Sequence, residues 1–366
     1  MTSPFSSATA ILTVDLAAIV ANWRLVAARA PGAEAAAVVK ADAYGLGAER
    51  VAPALFAAGC RTFFVATIDE GVALRRILPD GRVFVLCGPL PGAERDLAEH
   101  HLTPVLNSLD QIALWSTLGR QLGGLDAALH LDTGMSRLGL EPVDAERLAD
   151  EPGRLDGIRT VLVMSHMACA DEDAHPKNAE QLALFRRLQA LLPDGCPRSL
   201  AASSTVFLGP DHHFGMVRPG AALYGVNPTP GRPNPLAPVV RLSARILQVR
   251  DVDTPMTVGY GATHRVPGKG RIATVAAGYA DGLFRSLGNR GFGLIGGIRV
   301  PVVGRISMDL TTFDVGAVPA ELVRPGAFID ILSPDHGVDD LAAEAGTIGY
   351  EVLTALGRRH TRVYQG

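Results

Sequence analysis

The sequence predicts an α/β protein: an N-terminal (β/α)8 barrel over residues 1–235 and a C-terminal mainly β domain over residues 236–366. Three observations carry this. Short apolar runs alternate with helical patterns through the first two-thirds of the chain. The segment 227–238, NPTPGRPNPLAP, is dense in proline and makes a natural domain junction. Beyond it, strand-like runs follow one another with Gly, Pro and Asp turns between them.

The barrel expectation rests on eight runs: AAVVK (36–40), TFFVAT (62–67), VFVLCG (83–88), TPVLN (103–107), AALHLD (127–132), TVLVMSH (160–166), SLAAS (199–203) and ALYGV (222–226). Most are continuously apolar, as strands buried on both faces are. Helical spacing marks 48–59, 69–78, 109–119 and 177–192 between them. Alternation of this kind suits a parallel TIM-type barrel. The seventh connection, TVFLG onward, is only weakly helical. In the second domain, VVRLSARILQVRDV, GRIATVAAG, GIRVPVVG and FIDILSP read as strands. DDLAAEAG and 348–358 read as helices.

With 366 residues, 48% hydrophobic and 19% charged, the chain is long and apolar enough for a sizeable core. A net charge of −3 argues against a nucleic-acid scaffold. No apolar run is long enough to span a bilayer. The N-terminus lacks a basic leading region, and Asp15 interrupts its apolar stretch, so no signal peptide is expected and the cytoplasm is the default. Cys60, Cys87, Cys169 and Cys196 show no CxxC spacing. Neither a metal site nor a disulfide framework is expected, and buried thiols are.

Lys40 ends the first apolar run in AVVKADAYGLGA. A strand-end lysine usually extends to the rim of its barrel. Barrel active sites lie at the same ends, however, and a partly desolvated amine there is suited to Schiff-base chemistry.

VVKADAYGLG closely resembles the cofactor-lysine segment of alanine racemases. The resemblance continues through HLDTGMSRLGL, SHMACADE, SLAASS, VRPGAALYGVNP, VGYGATHR, VAAGYADG, VVGRISMDL and IGYEVLTALGRR, from about residue 36 to 360 and in the family's order. It implies a pyridoxal 5'-phosphate (PLP) enzyme that interconverts L- and D-alanine. Lys40 holds the cofactor and then acts as a base on one face of the substrate carbon. Tyr260, supplied by the partner subunit of a homodimer, is the acid/base on the other face. Two bases on opposite sides meet the geometric demand of inversion. The composite sites follow from dimer symmetry.

The same resemblance places Arg218 at the pyridine nitrogen. A guanidinium stays protonated, so it donates a hydrogen bond there and leaves a weaker electron sink. Without the motif, a rim arginine paired with a carboxylate is the ordinary reading. His166 is implied between Arg218 and the partner's tyrosine, in a cationic network that favours phenolate character. Ser203, Gly220 and Ala221 match phosphate-binding positions, and Tyr44 and Tyr350 reach the same phosphate. Arg137 binds the substrate carboxylate, a task for a bidentate fork. Met308 of the partner contributes through its backbone. Asp171, Arg285 and Arg305 line the entrance.

Two positions depart from the family pattern. Many relatives carry a lysine where this chain has His130, and its carbamate orients the substrate-binding arginine. His130 forms no such carbamate, so a chloride ion, a water or another side chain orients Arg137, with His130 expected to touch or support it. Ala202 stands where many relatives have asparagine, which removes one polar contact beside Ser203. The same machinery could serve a serine or broad-specificity racemase, and pocket size decides between them. A PLP-dependent decarboxylase on the same barrel calls for an acidic pyridine partner, unlike Arg218. A PLP-carrier barrel has no need of the Tyr260 motif or the long β domain. Supply of D-alanine for the cell wall is a further implication of the family.

Overall fold

The structure is a computed structural model describing residues 7–366. The chain forms two compact units. One is Ile19–Ala237; the other joins the N-terminal segment ending at Ala18 to Pro238–Gly366.

In the first unit, seven parallel strands lie side by side in chain order: Ala37–Val38, Thr62–Val65, Arg82–Val85, Thr103–Leu106, Leu125–His130, Ile158–Met164 and Arg198–Ser199. An eighth, Met216–Val217, closes the ring. It pairs in parallel with Glu34–Ala35, which leads directly into the first strand, in the register Met216↔Glu34 and Val217↔Ala35. On its other side, Arg218 N donates to Ala201 O at 2.8 Å and Gly215 N to Arg198 O at 3.0 Å. The expected (β/α)8 barrel is present. Its interior is aromatic near the first strands, where Phe64 and Phe84 stack with centroids 4.8 Å apart.

The eighth strand is not the run that sequence reading selects. ALYGV carries a 3-10 turn, Ala221–Tyr224, and the strand lies just before it. The weak seventh connection is also explained. It holds only 3-10 turns, Ser204–Leu208 and Pro210–His212. The helix Leu16–Arg29 packs on that side instead. Val26 and Ala30 share one core with Ala35, Ala201, Val206 and Val217, and Trp23 Nε1 donates to Ala35 O at 3.1 Å.

The second unit is built on the long strand Val240–Val252. It pairs antiparallel with Ala10–Asp15 and Phe328–Leu332 and, from Ile246 onward, with Gly270–Val275, a pairing whose register shifts between Ile246 and Gln248. A bulge of this kind bends a strand so that it serves two sheet segments. Ala10–Asp15 also pairs in parallel with Thr361–Gln365. The strand pair Phe292–Ile295 and Ile298–Pro301 is joined by Gly296 (φ 57°) and Gly297 (φ 82°). A two-residue hairpin loop with both central residues at positive φ favours glycine at both.

The N-terminal strand corrects the expected boundary. Residues 7–18 belong with the β unit rather than with the barrel. The reason is the alternation in AILTVD, whose Leu12 and Val14 are fully buried in that unit's sheet. No helix among the described residues is long and apolar enough to cross a membrane. The buried-thiol expectation holds only for Cys60: Cys87 is exposed, and Cys169 and Cys196 are partly so.

Candidate active site

The chain contains three lysines, Lys40, Lys177 and Lys269. Lys40 alone follows the C-terminal end of a barrel strand. Burial and then the nearby Arg137 cation lower its basicity, with Glu70 and Cys87 acting in the opposite sense. Its amine is therefore held closer to the neutral form that attacks a carbonyl.

The segment after Lys40 is unusual. Ala41, Asp42, Ala43 and Tyr44 all have φ between 52° and 56°. A left-handed turn costs L-residues roughly 1–2 kcal/mol each, so four in a row require compensation. Gly45 N donates to Ala41 O at 2.7 Å and Gly47 N to Asp42 O at 2.8 Å. Asp42 Oδ1 accepts from Ala48 N at 2.7 Å, at the start of the helix Ala48–Ala57. The turn brings Tyr44 inward, where it is buried with its ring centroid 4.8 Å from that of Tyr224. Tyr224 Oη in turn donates to Val38 O at 3.0 Å.

Tyr44 ends beside Gly220. A Cβ at Gly220 would lie 2.4 Å from Tyr44 Oη. Ser203 Oγ accepts from Gly220 N at 3.0 Å and from Ala222 N at 3.1 Å. The buried Ala221 N–H between them has no acceptor among the described residues. One hydroxyl, one phenol and one unspent amide thus converge at the start of a 3-10 turn, a donor set suited to a phosphate. Gly220→Ala is expected to push Tyr44 out of place and weaken PLP binding about tenfold, roughly 1.4 kcal/mol. Equilibrium titration by absorbance checks it, and unchanged affinity would contradict the cradle.

Arg218 is 3% exposed and lies 6.0 Å from the Phe64 ring centroid. Its guanidinium donates to Ser165 O at 2.7 Å and to Ser199 Oγ. No carboxylate lies within ion-pair distance among the described residues. Burial lowers its pKa to about 10, which leaves it a cation at neutral pH. The rim-arginine reading does not describe it: this buried cation is held by neutral oxygens.

His166 corrects an expectation. Burial, then the cations Arg218 and Arg137, push its pKa down to about 3. It is neutral at working pH and adds no charge to a cationic network. Its carbonyl accepts from Gln181 Nε2 at 3.0 Å.

His130 is neutral as well, lowered to about 4 by burial first and then by Arg218. Its Nδ1 lies 2.7 Å from Asn107 Oδ1. Asn107 Nδ2 donates to Val105 O and Leu86 O at 2.9 and 3.0 Å. Asn107 Oδ1 is therefore the acceptor, and the His130 proton resides on Nδ1. Among the described residues no hydrogen bond links His130 to Arg137, so the two make no direct polar contact of the expected kind. Asp132 shapes that loop instead. Its Oδ1 accepts from Gly134 N at 2.8 Å and Met135 N at 2.9 Å, and its Oδ2 accepts from Ser136 N at 3.0 Å. Arg137 follows directly and is exposed.

These neutral imidazoles set an acid response. Unfolding restores the ordinary value of 6.5 to His166 and His130, from about 3 and about 4. The unfolded chain then binds more protons between those limits, so stability rises with pH through that window and is lost as pH falls below 6.5. His212 and His360 shift in the same direction. The urea midpoint is expected to be lower at pH 5 than at pH 7.5; equal midpoints would contradict buried neutral rings.

The β unit holds the other expected residues. Tyr260 lies in a loop joining the paired segments Thr257–Val258 and His264–Arg265 and is 71% exposed. Gly259 and Gly261 have φ of 76° and 71°. A Cβ at Gly261 would lie 3.1 Å from Arg305 Nη1, so the loop packs tightly on that arginine. Met308 and Tyr350 are exposed, and Met308 O accepts from Ala280 N at 3.0 Å. Arg285 opens a 3-10 turn in the same unit, while Asp171 lies in the barrel unit. Sequence reading overlooked Ser165, Ser199 and Asn107, the polar partners of Arg218 and His130.

Two family models together span most of the chain. One described as the N-terminal domain of alanine racemase matches residues 14–228, and one described as its C-terminal domain matches residues 239–364. The chain belongs to the alanine racemase family. An alanine racemase of Rhodospirillum rubrum is 56% identical, covering 98% of this chain and 96% of its own. A catabolic alanine racemase of Agrobacterium fabrum is 50% identical, covering 96% and 91%. The crystal structure of alanine racemase from Bartonella henselae with covalently bound pyridoxal phosphate is 40% identical, with a TM-score of 0.94 over 98% of this chain and 100% of that one.

Proposed function

We propose that the protein interconverts L- and D-alanine with pyridoxal 5'-phosphate, using Lys40 as one base and Tyr260 of a partner subunit as the other. The observation that carries this is the barrel mouth itself. A desolvated strand-end amine, an uncompensated buried guanidinium and a phosphate-type cradle occur within one unit. Pyridoxal 5'-phosphate, when bound, supplies an electron sink that acidifies the substrate's α-hydrogen.

Ser203, Tyr44 and the Ala221 amide hold the phosphate, with Tyr350 as a further contact. Gly220 keeps the floor open. Arg218 donates to the pyridine nitrogen and keeps its own proton, which limits side reactions that need a stronger sink. Arg137 binds the substrate carboxylate, with Met308 of the partner nearby. Lys40, as a free amine of lowered basicity, accepts or returns the proton at Cα on one face. Tyr260 does so on the opposite face, and the substrate never turns over. His166, buried and neutral, lies within electrostatic reach of Lys40 and Arg218.

Homodimerisation and a cytoplasmic location belong to the proposal. Supporting the dimer, the β unit exposes Tyr260, Tyr279, Met308, Leu310, Ile348 and Tyr350. The testing experiment is deuterium uptake at Cα from each enantiomer. Tyr260→Phe is expected to keep the cofactor's visible band and to lose activity mainly from the L side. Equal retention from both sides would contradict the assignment.

A further inference from the structure

Glu70 stands third in the helix Ile68–Ile77, where a carboxylate ordinarily turns back onto its own helix start. That bond exists but is long, 3.4 Å from Thr67 N to Oε2. Two shorter bonds leave the helix. Oε2 accepts from Ala66 N, just past the second barrel strand, at 2.7 Å. Oε1 accepts from Ala41 N, the residue after Lys40, also at 2.7 Å. Ala41 opens the left-handed turn that ends in Tyr44. One carboxylate therefore ties the end of the first strand to the end of the second through two charge-assisted bonds.

We propose that Glu70 is a positioning residue for racemisation: its carboxylate clamps the Lys40–Tyr44 turn to the second strand and so sets both where the amine points and where the Tyr44 hydroxyl lands beside Gly220. This rests on Lys40 being the cofactor lysine. A helix-capping role alone does not account for the bond lengths, because the capping contact is the weakest of the three. Besides burial, Arg137 lowers the basicity of Lys40, and Glu70 opposes it. Removing its charge makes the amine give up its proton more readily.

Two substitutions separate shape from charge. Glu70→Gln keeps length but offers one acceptor oxygen to two N–H groups. Glu70→Asp keeps charge but is one methylene too short to reach both. Each full-length variant is titrated with PLP across pH, its melting temperature is measured, and the bound cofactor is trapped with borohydride and mapped. Both are expected to bind PLP about tenfold more weakly, the size of one lost charged hydrogen bond. Glu70→Gln alone also moves the pH midpoint of PLP capture downward. Thr67→Ala, which removes the helix cap and spares the two short bonds, is expected to keep wild-type affinity even if it melts early. Wild-type affinity and midpoint in Glu70→Gln, which still caps a helix, overturns the proposal, and so does a Thr67→Ala affinity as weak as that of Glu70→Gln. Trapping separates the two levels. Label on Lys40 with unaltered Glu70 variants sinks this inference alone; label on Lys177 or Lys269 sinks the cofactor-lysine reading beneath it.

Discussion

Lys40→Ala is expected to abolish the visible band of the bound cofactor and to lower racemisation of both enantiomers at least about 10⁴-fold. The loss combines a missing covalent anchor with a missing base, and positioned acid/base groups alone contribute up to about 10⁴. Both directions fall together because the amine serves one face for either substrate. The fold survives, since Lys40 belongs to no salt bridge among the described residues and its neighbours in the turn are held by backbone and carboxylate contacts. Absorbance at several pH values and a coupled assay from L- and D-alanine check the result. A variant that keeps the band would place the cofactor on Lys177 or Lys269. Added methylamine offers a further check, because a small amine can restore the proton acceptor but not the anchor.

Mixing the two variants should restore net interconversion of the enantiomers, which needs both bases and which neither variant supports alone. If Lys40 and Tyr260 of one site come from different subunits, a heterodimer of Lys40→Ala and Tyr260→Phe has one site with both substitutions and one with neither. Random exchange at equal amounts makes half the dimers mixed, so about a quarter of wild-type activity should return. Neither parent approaches this alone. If both residues instead came from the same subunit, every site in the mixture would retain one substitution and nothing would return. The recovered fraction therefore reports the composite site directly, provided subunit exchange is allowed by mild denaturant and verified by differential tagging.

Much of this was legible in the residues. Buried runs such as TFFV and the continuous segment VLVM declared barrel strands because residues enclosed on both faces leave no polar alternation. Lys40, Arg218 and Ser203 stood out through motifs. The eighth strand did not, since Met216–Val217 is two residues long and ALYGV beside it is more apolar. Nor did AILTVD declare its destination: alternation identifies a half-buried strand but not its partner, which lies more than 220 residues away. In Ala41–Tyr44 only Asp42 is a residue type that takes positive φ readily; the turn is bonded by Glu70, Asp42 and the following glycines, which local sequence does not announce. Glu70 itself reads locally as a helix cap, and only tertiary proximity shows its shorter bonds. His130 was visible as a departure, yet its bond to Asn107 depends on adjacent strands meeting in register.

The pairing of Ala10–Asp15 with both Val240–Val252 and Thr361–Gln365 bears on biosynthesis. While the chain emerges from the ribosome, Ile19–Ala237 can collapse as soon as it is available, whereas the strand made earliest waits with an unpaired edge until residues 361–365 are released. Nascent chains arrested before that point should therefore show a protease-sensitive start attached to a protected barrel.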